Sequence, residues 1–353
     1  MCGVTGYVGK KNGKKSIFDA LSKLQYRGHD SAGFACITDN KKIDLVKELG
    51  TIELLKRKMH CHTADGHVAI GHVRWACVGE PTLANAHPQT NQSGDIAFVH
   101  GGNIANYEDL KRELIKNGHH FSSQTDTQVV PHLLDYYLKL NDNLESALKK
   151  LVQTLQGSFA LVGLMESHPD VLISIRKSSP LCILTDDDGV RVASDFRAIS
   201  GISNQGFFQP DETFGIISAD EIKLYSFNGK AVPIVIKDVP VSPPIYGCNL
   251  FNSLYNDLQD HLIGFLQHIL PDRIIRAGDD ELIALAKTML SGSDLNQHEQ
   301  KHVRSIVCAF DHLEDGTYGL CFTCGYPISE QVLAMHPHMS LCKTCHERSE
   351  ACA

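Results

Sequence analysis

Three prolines within five residues, Pro240, Pro243 and Pro244, split this chain into two kinds of sequence. Proline lacks a backbone donor and fixes its own φ, so neither a regular helix nor a central strand runs through such a stretch. The chain has 353 residues. At roughly 100–200 residues per domain, that length calls for two or three units. The expected division is residues 1–240, then a proline linker and helical segment over 241–292, then a compact module over 293–353.

Before the prolines, strand-like and helical patterns alternate. Val4–Val8, Ala32–Ile37, Val68–Trp75, Ile96–His100, Phe159–Leu164 and Val171–Ile175 are short apolar runs bounded by Gly, Asp or Pro, as strands are. Ser16–Leu24 places Ile17, Ala20, Leu21 and Leu24 on one helical face. Thr125–Leu138 opens on a Thr/Asp start and carries Val129, Leu133, Tyr136 and Tyr137. These patterns predict a mixed α/β unit. After the prolines the spacing becomes helical: Phe251, Leu254, Leu258, Leu262, Phe265 and Ile269 recur at three- and four-residue steps until Pro271. Asp280–Leu290 and Leu295–Leu313 are two further expected helices.

Composition narrows the function classes. Lys plus Arg is 33 and Asp plus Glu is 41, a net charge of −8. Such a balance argues against a surface that grips nucleic acid by charge. No basic segment followed by a long apolar run opens the chain. The longest nearly apolar run, Phe159–Met165, is far short of the ~18 residues of a membrane span. A cytoplasmic location without membrane association is the expectation. There thiols stay reduced, so the twelve cysteines are read as catalytic, metal-binding or buried rather than disulfide-paired.

Four cysteines form two tight pairs, Cys321-x-x-Cys324 and Cys342-x-x-Cys345, with 17 residues between them. Two such knuckles supply the four thiolates of a tetrahedral zinc site with every position occupied, so the zinc would be structural. His336, His338 and His346 lie nearby but would find no vacant position. The residues Leu313–Cys321, Cys324-Gly-Tyr-Pro-Ile328, His336-Pro337 and Leu341-Cys342 resemble the DksA/TraR zinc-finger family over about the last 45 residues. Members of that family act on RNA polymerase. From Glu281 onward there are five Lys/Arg and nine Asp/Glu. That acidic balance opposes phosphate binding and suits a protein partner, RNA polymerase or another.

The other end holds a different cysteine. Met1-Cys2-Gly3-Val4 leads straight into a strand-like run. Removal of Met1 would leave Cys2 with both a thiol and a free α-amine. An α-amine has an intrinsic pKa of ~7.7–8.0, so a useful fraction is neutral and can accept the thiol's proton. The bland alternative is a buried cysteine at a chain end.

Four segments follow in order: Gln25–Gly33, Gly71–Gly79 containing Arg74 and Trp75, Asn85-Ala-His87-Pro88, and Ser123-Gln-Thr-Asp126-Thr127. With Met1-Cys2-Gly3 they resemble the class II glutamine amidotransferase domain, most closely the glutaminase half of glucosamine-6-phosphate synthase, over residues 2–235. The resemblance implies an α+β architecture, the N-terminal-nucleophile hydrolase αββα sandwich, followed here by the helical segment and the small four-cysteine finger. It implies that Cys2 attacks the side-chain amide of glutamine, that Arg74 holds the substrate carboxylate, that Asp126 holds its α-ammonium, and that Trp75 lies beside them. The Gly102 N–H would donate into the oxyanion hole.

The sequence departs from the family pattern at His100-Gly101-Gly102, where relatives read His-Asn-Gly. Gly101 therefore stands where the Asn amide would donate. Losing one such donor typically costs about 10²–10³ in rate. Cys77 and Val78 replace a Thr and a His of the substrate loop, and no sugar-isomerase domains follow within the 353 residues. Three readings follow. One is a glutamine-hydrolysing domain that supplies ammonia to an acceptor enzyme in trans. Another is a weakly catalytic glutamine sensor whose finger contacts a protein. The last is a structural fusion.

Overall fold

The computed structural model describes residues 2–59, 66–76, 78–140, 143–199, 203 and 205–238, together with 258, 262–263, 296–314, 319, 328, 332–333, 336 and 338–339. The chain divides into two compact units, Met1–Pro243 and Pro244–Ala353.

The first unit is built on two antiparallel sheets. In one, the spatial order is β14 (Lys237–Asp238), β11 (Gln205–Phe208), β9 (Cys182–Asp186), β10 (Gly189–Ala193), β1 (Gly3–Gly9), β4 (Val68–Arg74), β2 (Ser31–Ile37) and β3 (Ile43–Leu49). In the other it is β13 (Ile222–Ser226), β12 (Thr213–Ile217), β8 (Leu172–Lys177), β7 (Gly157–Met165), β6 (Ile96–Ile104) and β5 (Gln89–Thr90). Side chains alternate between the faces of a strand, so each strand feeds two cores. Val4, Val8, Ile70, Ala97, Val99, Val162 and Leu172 meet between the sheets.

The opposite faces are covered by helices. Tyr7, Phe34 and Ala69 turn toward α1 (Gly13–Leu24) and α2 (Ile52–Met59), where Ile17, Leu21 and Leu55 are buried with them. Phe98, Phe159 and Ile173 turn toward α3 (Tyr107–Lys116), α4 (Val129–Leu140) and α5 (Leu144–Thr154). The result is two antiparallel sheets face to face between helical layers. Burial on both faces explains why β1, β2 and β4 read as continuous apolar runs rather than as alternations.

Local signals set the helix ends. The Asn12 side chain accepts from the Lys14 N–H at 2.8 Å, so α1 begins at Gly13, three residues before the expected start at Ser16. Asn143 caps α5 in the same way, accepting from Ser146 N–H at 2.8 Å. The expected helix at Thr125 starts later. Asp126–Gln128 form a 3₁₀ turn, and α4 runs from Val129. Pro131 fits within its first turn, where its missing N–H has no intrahelical partner to lose.

Strand ends differ from their expected limits: β6 runs on from His100 to Ile104, and β4 stops at Arg74 rather than Trp75. The strand β3 carries Asp44, Lys47 and Glu48 and buries only Val46. It is a charged edge strand, and its sequence lacks the apolar signal of its neighbours.

In the second unit, a helix spans Gln297–Glu314, close to the expected Leu295–Leu313. It opens on a reciprocal cap: the Glu299 N–H donates to Asn296 Oδ1 at 3.0 Å, and the Asn296 N–H donates to Glu299 Oε2 at 2.9 Å. Leu258 and Leu262 are helical and buried; the rest of the helix expected over Phe251–Ile269, the helix expected over Asp280–Leu290, and the proline stretch lie outside the described residues. No helix among the described residues is long and apolar enough to cross a membrane.

One contact couples the core to β6. Phe98 on β6 lies opposite Gly163 on β7, and a Cβ at Gly163 would come within 2.4 Å of the Phe98 ring. Gly163→Ala should displace β6 and destabilise the unit by about 1–3 kcal/mol. Urea unfolding checks this; a midpoint matching the wild type would contradict the packing.

Candidate active site

Three strands end at one cavity. Its lining comprises Cys2, Arg74, Trp75, Val78, His87, His100, Gly102, Thr125, Asp126 and Thr127. Thus Cys2, Arg74, Trp75, Gly102 and Asp126, five residues spread over more than 120 positions of sequence, share one wall. Antiparallel pairing does this. Gly3 lies opposite Val73 across β1 and β4, which brings Cys2 beside the end of β4. The Cys2 Sγ sits 3.5 Å from both the N–H and the carbonyl oxygen of Trp75. The Trp75 side chain is half exposed.

Face alternation orders the rest. His72 and Arg74 share the face of β4 on which Val68 and Ile70 point between the sheets. The Arg74 side chain is buried, and its guanidinium donates to the carbonyls of Val78 at 2.6 Å, Gly79 at 2.9 Å and Glu80 at 3.2 Å. It thereby fixes the loop that rims the cavity. Asn85 ties that loop to the next. Its amide donates to the Glu80 carbonyl at 2.9 Å, and its Oδ1 accepts from the Gln124 N–H at 2.8 Å. The loop's start is held by Asp30, which accepts from the Ala76 N–H at 2.6 Å. Cys77 lies outside the described residues.

On β6, Gly101 falls on the same face as Ala97 and Val99 and looks toward the start of β1. A Cβ there would meet Val4 Cγ2 at 3.3 Å and the Cys2 carbonyl oxygen at 3.6 Å. The position lies beside the Cys2 carbonyl, and a side chain there would require Val4 to give by a few tenths of an ångström. Gly102 is different. Its φ is +131°, and a Cβ would lie 2.2 Å from the Ser158 carbonyl oxygen, so only glycine fits. Asn103 is exposed.

Asp126 is 5% exposed. Its Oδ2 accepts from the Ile104 N–H at 2.9 Å, and its Oδ1 lies 3.3 Å from the Thr127 hydroxyl and 3.7 Å from His100 Nδ1. Burial alone would raise its pKa; His100, the Ile104 N–H and Thr127 outweigh it and hold the carboxyl below its ordinary value.

A group of buried histidines lies behind this wall and was not read from the sequence. His72 Nε2 is 2.8 Å from the His100 carbonyl oxygen, and its ring stacks on His87 at 4.3 Å. The signal was present: polar His72 and His100 interrupt apolar strands at inward positions. Burial pulls His72 down to about 3 and His87 well below the usual imidazole value.

Elsewhere, Cys36 and Cys182 are buried in the helix-covered core of the first sheet. Burial raises the Cys182 thiol, which donates to the Ala193 carbonyl at 3.1 Å. Both are packing residues. The expected zinc ligands Cys321, Cys324, Cys342 and Cys345 lie outside the described residues. Among the described residues, no cluster of three or more His, Cys, Asp or Glu could hold a metal. His336 is exposed, and His338 is half-buried with its ring 4.9 Å from His302.

The buried imidazoles make stability depend on pH. His72, His87 and His132, the last pulled down to about 4 mainly by burial, bind protons less readily folded than unfolded. Their stabilisation is complete above the unfolded value of 6.5 and is lost as pH falls toward the folded values. Denaturant unfolding should show stability falling between pH 6.5 and 5 with a slope approaching about three protons. A flat profile would contradict neutral burial.

Comparison with known proteins agrees with this geometry. Residues 72–201 match a family model described as a glutamine amidotransferase domain. A glutamine–fructose-6-phosphate aminotransferase (isomerizing) of Clostridium acetobutylicum is 38% identical over 232 residues, covering 66% of this chain and 38% of the relative. The enzyme of the same name from Pyrococcus horikoshii is 41% identical over 220 residues, covering 62% of this chain and 37% of its own. The chain thus spans less than half the length of these relatives. Among solved structures, glutamine phosphoribosylpyrophosphate amidotransferase from B. subtilis superposes with a TM-score of 0.58 at 26% identity, covering 74% of this chain and 58% of that one. The first unit of this protein carries a class II glutamine amidotransferase domain.

Proposed function

We propose that the first unit hydrolyses glutamine to glutamate and ammonia through Cys2. The observation that carries this reading is the convergence of Cys2, Arg74, Gly102 and Asp126 on one cavity. A free amino acid presents one carboxylate and one ammonium, and the cavity holds one buried cation and one buried carboxylate to match them. Once Met1 is removed, the Cys2 α-amine takes the thiol proton. The sulfur attacks the side-chain amide carbon, the C–N bond breaks as the nitrogen accepts that proton, and ammonia leaves. Water then attacks the thioester and the C–S bond breaks, releasing glutamate and restoring the thiol.

The oxyanion formed in each step would find the Gly102 N–H, while Gly101 supplies no side-chain amide. The missing donor corresponds to about 2.7–4 kcal/mol of transition-state stabilisation. Slow turnover is the expected consequence, and it favours the second reading of the cavity as a glutamine sensor. Purified, Met1-processed protein incubated with glutamine should release glutamate that disappears in Cys2→Ala. Gly101→Asn, which requires Val4 to give by a few tenths of an ångström, should raise the rate by about tenfold or more. Glutamine bound without release in wild type and in Gly101→Asn would leave sensing as the function.

For the second unit we propose a structural zinc ion held by Cys321, Cys324, Cys342 and Cys345, supported by the double Cys-x-x-Cys spacing. The acidic balance of this region supports a protein partner, RNA polymerase or an acceptor enzyme for ammonia, over nucleic acid. Metal analysis of reduced protein should find about one zinc per chain, lost in Cys321→Ser. Metal-free protein with an unchanged unfolding transition would overturn the assignment.

A further inference from the structure

The hydrogen-bond geometry points to Thr127 as the positioning residue that sets the tautomers of His87 and His100 and pins the carboxylate of Asp126. Thr127 is fully buried, so its hydroxyl finds its partners in protein. Three polar side-chain atoms reach it among the described residues: His87 Nε2 at 2.8 Å, His100 Nδ1 at 2.9 Å and Asp126 Oδ1 at 3.3 Å. A hydroxyl has one proton to give and two lone pairs to receive. An ionised carboxylate can only accept.

One arrangement satisfies all four groups. The Thr127 O–H donates to Asp126, while His87 Nε2–H and His100 Nδ1–H donate to the Thr127 oxygen. The other ring nitrogens decide between this and its alternatives. His87 Nδ1 and His100 Nε2 are buried and meet no partner among the described residues. If the hydroxyl proton pointed at either ring, that ring would carry its own proton on the orphaned nitrogen. A buried N–H without an acceptor is among the rarest features of folded proteins. Asp126 Oδ1 would then also face the hydroxyl oxygen with no proton between them.

Both carboxylate oxygens of Asp126 are thereby held, Oδ1 by Thr127 and Oδ2 by the Ile104 N–H. Ile104 lies on β6, the strand that carries Gly101 and Gly102. The anionic end of the cavity and its oxyanion end are therefore fixed to one rigid element. This role rests on the reading of Asp126 as the anchor for a substrate ammonium. In it Thr127 acts through Asp126, the group that meets the ammonium.

The test uses the full chain labelled with ¹⁵N. In wild type, His87 Nε2 and His100 Nδ1 should give protonated, pyrrole-type signals and their partner nitrogens bare, pyridine-type ones. Thr127→Val removes the hub at constant shape. It should alter both ring patterns and weaken glutamine binding by about tenfold, seen as a raised KM with kcat changed less than about threefold. Thr127→Ser should restore both. The opposite tautomer at either ring in wild type overturns the assignment even if Thr127→Val does not fold. Unaltered ring signals and glutamine affinity in a folded Thr127→Val also overturn it. Wild-type protein that binds no glutamine defeats the reading of the cavity, while the ring signals still decide the role of Thr127.

Discussion

The antiparallel register of β1 on β4 holds the first unit together around its chemistry. It sets Gly3 against Val73 and so brings the chain's second residue to the end of the strand that carries Arg74. A one-residue slip would exchange the faces of the strand and send His72 and Arg74 into the helix-covered core. The register is secured by burial on both sides. Val4 and Val8 require the inter-sheet core, and Tyr7 requires the core beneath α1. Packing that serves stability is thus the same packing that aims the site.

The cavity wall concentrates buried polar groups, and their arrangement follows from what burial demands. Arg74, Asp126, His72, His87 and His100 are all nearly inaccessible. Each would be costly without partners. Arg74 spends donors on three loop carbonyls, and Asp126 collects a backbone N–H and a hydroxyl. Lys47 reaches from the edge strand β3 to the carbonyl of Ala86 at 2.9 Å, supporting the loop that delivers His87. The site is preorganised: loops and side chains are held before any ligand arrives.

The relatives explain the first unit and stop there. The aligned regions cover 38% of the Clostridium acetobutylicum enzyme's length. The remainder of that enzyme has no counterpart in the aligned part of this chain. After Pro243 a second unit follows with its own capped helix and buried Val303, Ile306 and Val307.

Much of the site was legible in the residues themselves. Cys2, Arg74, Trp75, Gly102 and Asp126, named from the resemblance of ordered motifs, line one cavity in the structure. The long buried strands could be named because burial on both faces leaves continuous apolar runs. Sequence could not show the charged edge strand β3, since its stability comes from neighbours rather than its own pattern. Nor could it show that Thr127, His87 and His100 meet, or that Gly101 lies against Val4 and the Cys2 carbonyl. Those facts depend on which strand faces turn inward and how two sheets stack, and only tertiary packing brings residues so distant in sequence within hydrogen-bond reach.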